Sequence, residues 1–270
     1  MGHTTTTTWL TQDQRDAYAR DGAIVVKGVF KDWIEPLRTG FERVLREPGE
    51  HGRENVTGND GGRFFEDYCN WQRIPEFRHW IEASPGAAIA GEATGSRQIQ
   101  VFHEHILVKE PGTAKPTPWH QDLPYYCVDG DQTASYWIPL DPITQENALR
   151  VVLGSHRWPK LVRPSKWSTN ASWYQDDSPF MDMPDIDGGD FEILIPELEP
   201  GDALLFNFKT VHGAPGNQTS NRRRAFSTRF IGDDVRYVDR GGPTSPPFDG
   251  IGLQTGERMR EDWFPVVWQC

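Results

Sequence analysis

The sequence predicts a β-sandwich or jelly roll with helices packed outside it, and three observations lead there. Apolar residues recur at helical spacing as far as about residue 95, and from Gln98 the pattern switches to alternation. Turn chemistry then cuts the second half into short segments, at Asp129-Gly130, Gly154-Ser155, Pro200-Gly201-Asp202 and Gly232-Asp233.

Taken in order, Thr11 and Gln14 have capping-box spacing and open a helix of roughly ten residues, which Gly22 ends. Ala23-Ile24-Val25-Val26 is β-branched and strand-like. Ile34, Leu37, Phe41, Val44 and Leu45 mark a second amphipathic helix over about 33–47, stopped by Pro48-Gly49. Residues 48–62, rich in Gly, Asn and charge, read as a loop. Phe77, Trp80 and Ile81 mark a third helix, and Ser84-Pro85 caps a short fourth that stops near Gly95. Beyond Gln98, strict alternation puts Ile99, Val101, His103, His105 and Leu107 on one face of a strand, with Gln98, Phe102 and Ile106 on the other. Further short β segments are expected at 135–140, 149–153, 193–195, 203–208 and 224–231.

A β fold of 270 residues is usually one domain, and no internal repeat breaks this one. The expected plan is a single domain over 1–270: a helical part at about 11–95, a jelly-roll core at about 97–232 and a C-terminal extension at about 233–270. A formal charge of −11 argues against nucleic acid or an anionic membrane as the main partner. Cys69, Cys127 and Cys270 are widely spaced, which suits a reducing compartment and a cytoplasmic location rather than a disulfide framework. No apolar run approaches a membrane span, and the polar N-terminus lacks signal-peptide character. Met1-Gly2-His3-Thr4-Thr5-Thr6 formally fits a myristoylation pattern but reads as a frayed end, and the sequons at Asn55, Asn170 and Asn217 as accidental. Between Trp167 and Phe208 there is no Lys or Arg, and acids crowd the stretch 176–192. A solvated loop is the favoured reading of 167–192, and a lid the alternative.

The chemistry lies in Trp119-His120-Gln121-Asp122 and, far downstream, His212-Gly213. In a strand or its immediate exit, residues two apart point the same way, so His120 and Asp122 can reach one ion from one segment. A third ligand must come from another strand, and His212 is the candidate. Two imidazoles and a carboxylate form the facial triad of non-haem Fe(II) oxygenases, which leaves positions open for O2 and a co-substrate. A lone His-x-Asp is weak; its context strengthens it.

That context resembles the phytanoyl-CoA dioxygenase family of Fe(II)/2-oxoglutarate-dependent oxygenases. The resemblance runs through Val108-Lys109-Glu110-Pro111-Gly112-Thr113, Trp119 to Tyr126, Ser135-Tyr136-Trp137-Ile138-Pro139-Leu140 and Glu146 to Val152. It continues through Gly154-Ser155-His156-Arg157-Trp158, His212 to Asn217 and Arg223-Arg224-Ala225. It implies a double-stranded β-helix, the cupin-like jelly roll, with Fe(II) on His120, Asp122 and His212. It also implies that Arg223 pairs with the distal carboxylate of 2-oxoglutarate, for which a planar guanidinium is apt. Arg222 and Arg224 would face the other way as surface charge. Trp137 corresponds to an aromatic residue beside the co-substrate. His105 aligns with a contact position, and His103 shares its face, although core packing competes as the role of each. His156 looks like a turn signature and not a ligand. Ala214 departs from the Ser or Thr of many relatives, and Asn147-Ala148 and Leu153 also depart, away from the ligands. Asp122 is retained where related halogenases carry Gly or Ala.

The expectation is therefore an Fe(II)/2-oxoglutarate oxygenase that consumes O2 and releases succinate and CO2, with hydroxylation as the default outcome. A small natural-product scaffold is the favoured substrate. Tyr125, Tyr126, Phe64, Phe65 and Trp173 are candidates to line its pocket, and the acidic stretch 176–192 should disfavour a polyanion such as a CoA thioester. Two alternatives stay open: a catalytically silent jelly-roll binding protein, and a cupin-like metalloenzyme that does not use 2-oxoglutarate. Arg223 separates them, since only the 2-oxoglutarate enzyme needs a carboxylate clamp. Oligomeric state is left open.

Overall fold

The computed structural model describes residues 7–55, 61–166, 171–176 and 178–270. The Met1–Thr6 myristoylation pattern, the Asn170 sequon and Trp167 lie outside the described residues.

The helical part opens with α1 (Gln12–Asp21), whose N-cap Thr11 and Gln14 form the reciprocal capping box and whose C-cap Gly22 is left-handed at φ 75°. After β1 (Ala23–Val26) a short 3-10 turn leads into α2 (Ile34–Arg46), which buries Ile34, Leu37, Phe41 and Val44 at helical spacing. β2 (Arg53–Glu54) and β3 (Phe64–Tyr68) come before α3 (Pro75–Ala83) and α4 (Gly86–Thr94). The long β4 (Gln98–Lys109) is followed by β5 (Thr117–His120), β6 (Val128–Asp129), β7 (Thr133–Pro139), β8 (Arg150–Val152) and β9 (Ile193–Leu194). β10 (Ala203–Phe206), β11 (His212–Ala214), β12 (Arg223–Ile231), β13 (Arg236–Tyr237) and β14 (Val266–Gln269) complete the chain.

Two antiparallel sheets make the jelly roll. The larger runs β1-β10-β7-β12-β4-β3-β2, with β14 also on β4, and the smaller runs β5-β11-β8-β9. β13 pairs with β6 apart from both. This is the double-stranded β-helix architecture. The helices cover one face of the larger sheet, where Phe77 and Trp80 of α3 pack on Phe226 with ring centroids 4.9 and 5.3 Å away. Residues 233–270 cover part of its other face, burying Val235, Ile251, Met259 and Phe264 with Phe102, Tyr126 and Phe208. Among the described residues no helix is long and apolar enough to cross a membrane.

Two sequence expectations change here. Residues 48–62 hold β2 within the stretch read as loop, and β3 directly follows it; β3 escapes notice because Glu66 and Asp67 are both fully buried in it and mask the alternation. The face assignment along β4 fails at one residue. The β12–β4 register steps from Arg229↔His103 to Phe230↔Val101, so Phe102 is the extra residue of a β-bulge. Ile99 and Val101 therefore join Ile106 and Val108 under the helices, while Phe102 turns with His103 towards the opposite side. The bulge is what lets a strand with an apolar start deliver histidines to the interior of the roll.

Candidate metal and co-substrate site

His120 and His212 are direct cross-strand partners on β5 and β11, with ring centroids 4.2 Å apart. Asp122 reaches them from just past the strand. It sits in helical conformation (φ −71°, ψ −45°) before a 3-10 turn, its N–H donating to Phe208 O at 3.0 Å. Its Oδ1 lies 3.7 Å from His120 Nε2 and 3.8 Å from His212 Nε2. One ligand atom from each residue falls within 4.8 Å of the others, and all three side chains are buried. Strand alternation thus placed Asp122 correctly for a different reason, because a turn rather than an extended strand brings its carboxylate back.

The imidazoles are already oriented. His120 Nδ1 lies 2.8 Å from Pro118 O and His212 Nδ1 lies 2.9 Å from Thr210 O. An Nδ1–H donated to each carbonyl leaves the Nε2 lone pairs aimed at the carboxylate, the second-shell arrangement of metal-binding histidines. Burial, then His120, pulls the His212 pKa down to about 3, so its ring is neutral. Burial pushes the Asp122 carboxyl up, but the Arg229 guanidinium and the two imidazoles outweigh it and hold Asp122 well below the usual range. A neutral His212 imidazole and an ionised Asp122 carboxylate are protonation states a divalent ion requires, and the N,N,O donor set of His120, His212 and Asp122 fits Fe(II).

The support for Asp122 was not anticipated. Its Oδ2 takes Ser135 Oγ at 3.2 Å and Arg229 Nη2 at 3.3 Å. Arg229 Nε donates to Tyr126 OH at 2.6 Å and its Nη1 to Ser227 Oγ at 3.0 Å. The signal was present: Arg223, Ala225, Ser227 and Arg229 share one face of β12 by alternation, and only the first was singled out.

The site opens into a cavity of about 560 Å³ that also contains Arg223. Arg223 is 4% exposed and donates one hydrogen bond, 2.8 Å, to Asn147 O. Among the described residues it has no carboxylate partner, and burial draws its pKa down to about 10. A buried cation held by one neutral acceptor is costly, and a carboxylate ligand would relieve the cost. Arg222 and Arg224 point to the other face, onto Glu110 and Asp141 at 2.8 and 2.7 Å.

Of the remaining candidates, Trp137, His103, His105, Tyr125, Tyr126 and Trp173 line the cavity. His105 Nε2 stands 3.5 Å from Glu66 Oε2. Burial raises the Glu66 pKa, but His105 and Arg53 outweigh it and bring it to about 2. Tyr125 fixes Ser165 through two hydrogen bonds, 2.9 and 3.0 Å. Phe65 is a correction: it belongs to the core under the helices, since alternation along β3 gives the interior to Phe64, Glu66 and Tyr68. Phe64 in turn lies beneath Lys109 Nζ, its ring centroid 4.5 Å away. His156 lies by Ala19 O, apart from the cavity lining.

The acidic stretch is the second correction. Its Met181, Met183, Ile186 and Phe191 pack with Val152 and Val211, and Asp187 accepts from Trp119 Nε1 at 3.3 Å. No described residue of 176–192 lines the cavity. Among the described residues the lining cations are Arg53, Lys115, Lys166, Arg223 and Arg229, against the one carboxylate of Asp122. The described residues of the stretch therefore give no acidic guard at the cavity, because apolar side chains within it anchor it on the smaller sheet.

A family model described as phytanoyl-CoA dioxygenase matches residues 18–225. The human peroxisomal phytanoyl-CoA dioxygenase is 25% identical over 85% of this chain and 71% of its own length. A probable phytanoyl-CoA dioxygenase of Caenorhabditis elegans is 30% identical over 87% of this chain and 80% of its own. Among solved structures, the non-haem α-ketoglutarate-dependent carbocyclase SnoK from nogalamycin biosynthesis superposes with a TM-score of 0.74 at 22% identity, covering 96% of both chains. Its likeness speaks to the fold. The family match, spanning both the helical part and the roll that carries the His/Asp/His cluster, shows that this chain belongs to the phytanoyl-CoA dioxygenase family of non-haem Fe(II)/2-oxoglutarate-dependent oxygenases.

Proposed function

We propose that His120, Asp122 and His212 hold Fe(II), that Arg223 clamps the distal carboxylate of 2-oxoglutarate, and that the enzyme hydroxylates a small molecule bound in the same cavity. The observation that carries this reading is Arg223: a buried guanidinium with no acidic partner among the described residues, in one cavity with the triad. A silent binding protein, or a metalloenzyme without a dicarboxylate, has no use for that cation. When bound, iron and 2-oxoglutarate supply O2 activation coupled to release of succinate and CO2. The chain's own residues do the positioning. Arg229 and Ser135 keep Asp122 ionised and aimed, the two carbonyls fix the imidazole tautomers, and Trp137 walls the co-substrate side. Tyr125 and Trp173, with ring centroids 5.1 Å apart, offer an aromatic wall for the substrate, while the Tyr126 hydroxyl is committed to Arg229. A natural-product scaffold is the favoured substrate, in keeping with SnoK acting in nogalamycin biosynthesis. The excess of lining cations favours a scaffold bearing an anionic group. The three free thiols accord with a cytoplasmic setting.

The test is succinate formation from 2-oxoglutarate with Fe(II) and ascorbate, followed by a screen of small molecules for stimulated turnover. Activity is expected to disappear in Asp122→Ala. Unchanged decarboxylation in that variant would overturn the metal assignment.

A further inference from the structure

His105 and Glu66 form a pair that neither the triad nor the Arg223 clamp uses. They sit on neighbouring strands of the larger sheet, His105 on β4 and Glu66 on β3. His105 Nε2 stands 3.5 Å from Glu66 Oε2. Both atoms are buried, and neither makes a hydrogen bond to anything else among the described residues. An imidazole lone pair facing a carboxylate oxygen would be repelled, so the ring proton belongs on Nε2. The other carboxylate oxygen of Glu66 accepts from Arg53, which fixes the carboxylate.

That tautomer leaves a lone pair on Nδ1. Nδ1 is not buried and has no protein partner among the described residues, and His105 keeps 15% of its side chain open in the cavity wall. Its surroundings belong to the substrate side. Leu107, Trp137, Leu149, Phe206 and Ala214 form one apolar cluster that lines the cavity with the triad and Arg223, and the carbon chain of 2-oxoglutarate suits that stretch. His105 instead stands against Tyr68, on which His51 is stacked at 4.4 Å. Ser227, its cross-strand neighbour on β12, is already committed: Oγ donates to Tyr136 O at 2.7 Å and accepts from Arg229.

We infer that the Glu66–His105 pair reads a hydroxyl group of the substrate: His105 Nδ1 accepts its hydrogen bond, and Glu66 holds the ring in the tautomer that can accept. This deepens the substrate half of the function proposed above and rests on it. It moves His105 from the co-substrate to the substrate. The charge states agree. Burial lowers the His105 pKa by more than Glu66 raises it, so the ring is neutral and keeps its lone pair. An ionised carboxylate behind a neutral imidazole makes Nδ1 a stronger acceptor, because hydrogen bonds in a chain polarise one another. Tyr125 and Trp173 supply an aromatic wall in the same cavity, so the ligand class is a hydroxylated aromatic scaffold. His105 binds; Glu66 positions it.

The experiment is calorimetric titration of two matched probes, 2-naphthol and 2-methoxynaphthalene, into the protein loaded with Fe(II) and 2-oxoglutarate without O2. The methyl ether keeps the rings and the oxygen but has no proton to donate. 2-Naphthol should bind about 3- to 10-fold more tightly, the worth of one hydrogen bond. In His105→Phe that ratio should fall to about one. His105→Gln, whose amide can donate to Glu66 and turn its oxygen to the cavity, should keep most of it. Glu66→Gln should lower it, since an amide can donate to Nε2 and favour the opposite tautomer. Thermal unfolding checks folding, and a merely structural role would weaken both probes alike without moving their ratio. A ratio near one in the unmodified protein, an unchanged ratio in His105→Phe, or no binding of either probe overturns the inference. Titration of 2-oxoglutarate separates the two levels. A loss in His105→Phe alone returns the residue to the co-substrate and overturns the inference while the clamp stands. No binding by the unmodified protein brings down the proposed function, and this inference with it.

Discussion

The two faces of the larger sheet are built from the same strands and do opposite work. On β12, Phe226 and Phe230 face the helices, while Arg223, Ser227 and Arg229 face the cavity. The helix face closes on Trp80, whose ring meets Phe226, Tyr136 and Phe30 at centroid distances of 5.3, 5.7 and 5.3 Å. Two of the buried carboxylates, Glu104 on the helix side and Asp122 in the cavity, make an instructive pair. Glu104, on the helix side, accepts only backbone N–H groups, from Asn70 at 2.6 Å and Trp71 at 3.0 Å, and burial drives its pKa up to about 8. Asp122 is equally buried, yet Arg229 and the imidazoles hold it ionised. The same desolvation gives a reluctant acid on one face and a ready ligand on the other, and the guanidinium makes the difference.

If the helix face carries stability and the cavity face carries chemistry, substitutions should separate the two. Trp80→Ala removes a fully buried indole and should cost about 3–5 kcal/mol of folding free energy. The folded fraction should still bind Fe(II) and 2-oxoglutarate with unchanged affinity, and a weakened affinity would show that the faces are coupled. Arg229→Met should do the reverse. It leaves Asp122 Oδ2 with Ser135 Oγ alone and strips Tyr126 OH of its Arg229 donor, and loss of such a supporting group costs about 10–100-fold in metal affinity. Iron titration measures that loss, and denaturant unfolding of the metal-free protein should move far less than in Trp80→Ala.

The sequence made the layer order, the four helices and the His/Asp/His cluster legible, because each depends on local periodicity or on a short motif. His120, Asp122 and His212 are brought within ligand distance of one another, and Arg223 opens into the same cavity. What stayed hidden depends on register. A single extra residue at Phe102 reversed the facing of Ile99 and Val101, and a second, in β5, turned Thr117 inward. Arg229 was hidden because its value lies in a partner 107 residues away, which no window of alternation displays. Phe65 was misplaced for a related reason: in a strand with charges buried on both sides, hydrophobicity does not say which face is the core.

Glu104 gives a smaller effect whose direction is fixed. Its folded pKa of about 8 lies above the ordinary glutamate value of 4.5, so between those values the folded state keeps a proton that the unfolded chain releases. Stability from this group is complete below 4.5 and is lost as pH rises through 8. Glu104→Gln, which is always neutral, should flatten that part of the stability profile, measured as unfolding midpoints at pH 5 and pH 8. An unchanged slope would mean that the two N–H donors keep Glu104 ionised after all.

The smallest effect tests the face assignment directly, with neighbouring aromatics of β3. Phe65 packs in the core and Tyr68 lines the cavity. Phe65→Leu, a modest change of shape in a packed core, should cost under about 1.5 kcal/mol and leave the KM for substrate untouched. Tyr68→Leu replaces a half-buried side chain and should hardly affect unfolding, yet it removes the ring that meets His105 edge-on at 5.5 Å in the cavity wall. Its effect should therefore appear as a raised KM for substrate with the 2-oxoglutarate affinity preserved. A KM shift in Phe65→Leu and none in Tyr68→Leu would reverse the facing of β3 and move the substrate wall to the other side of the sheet.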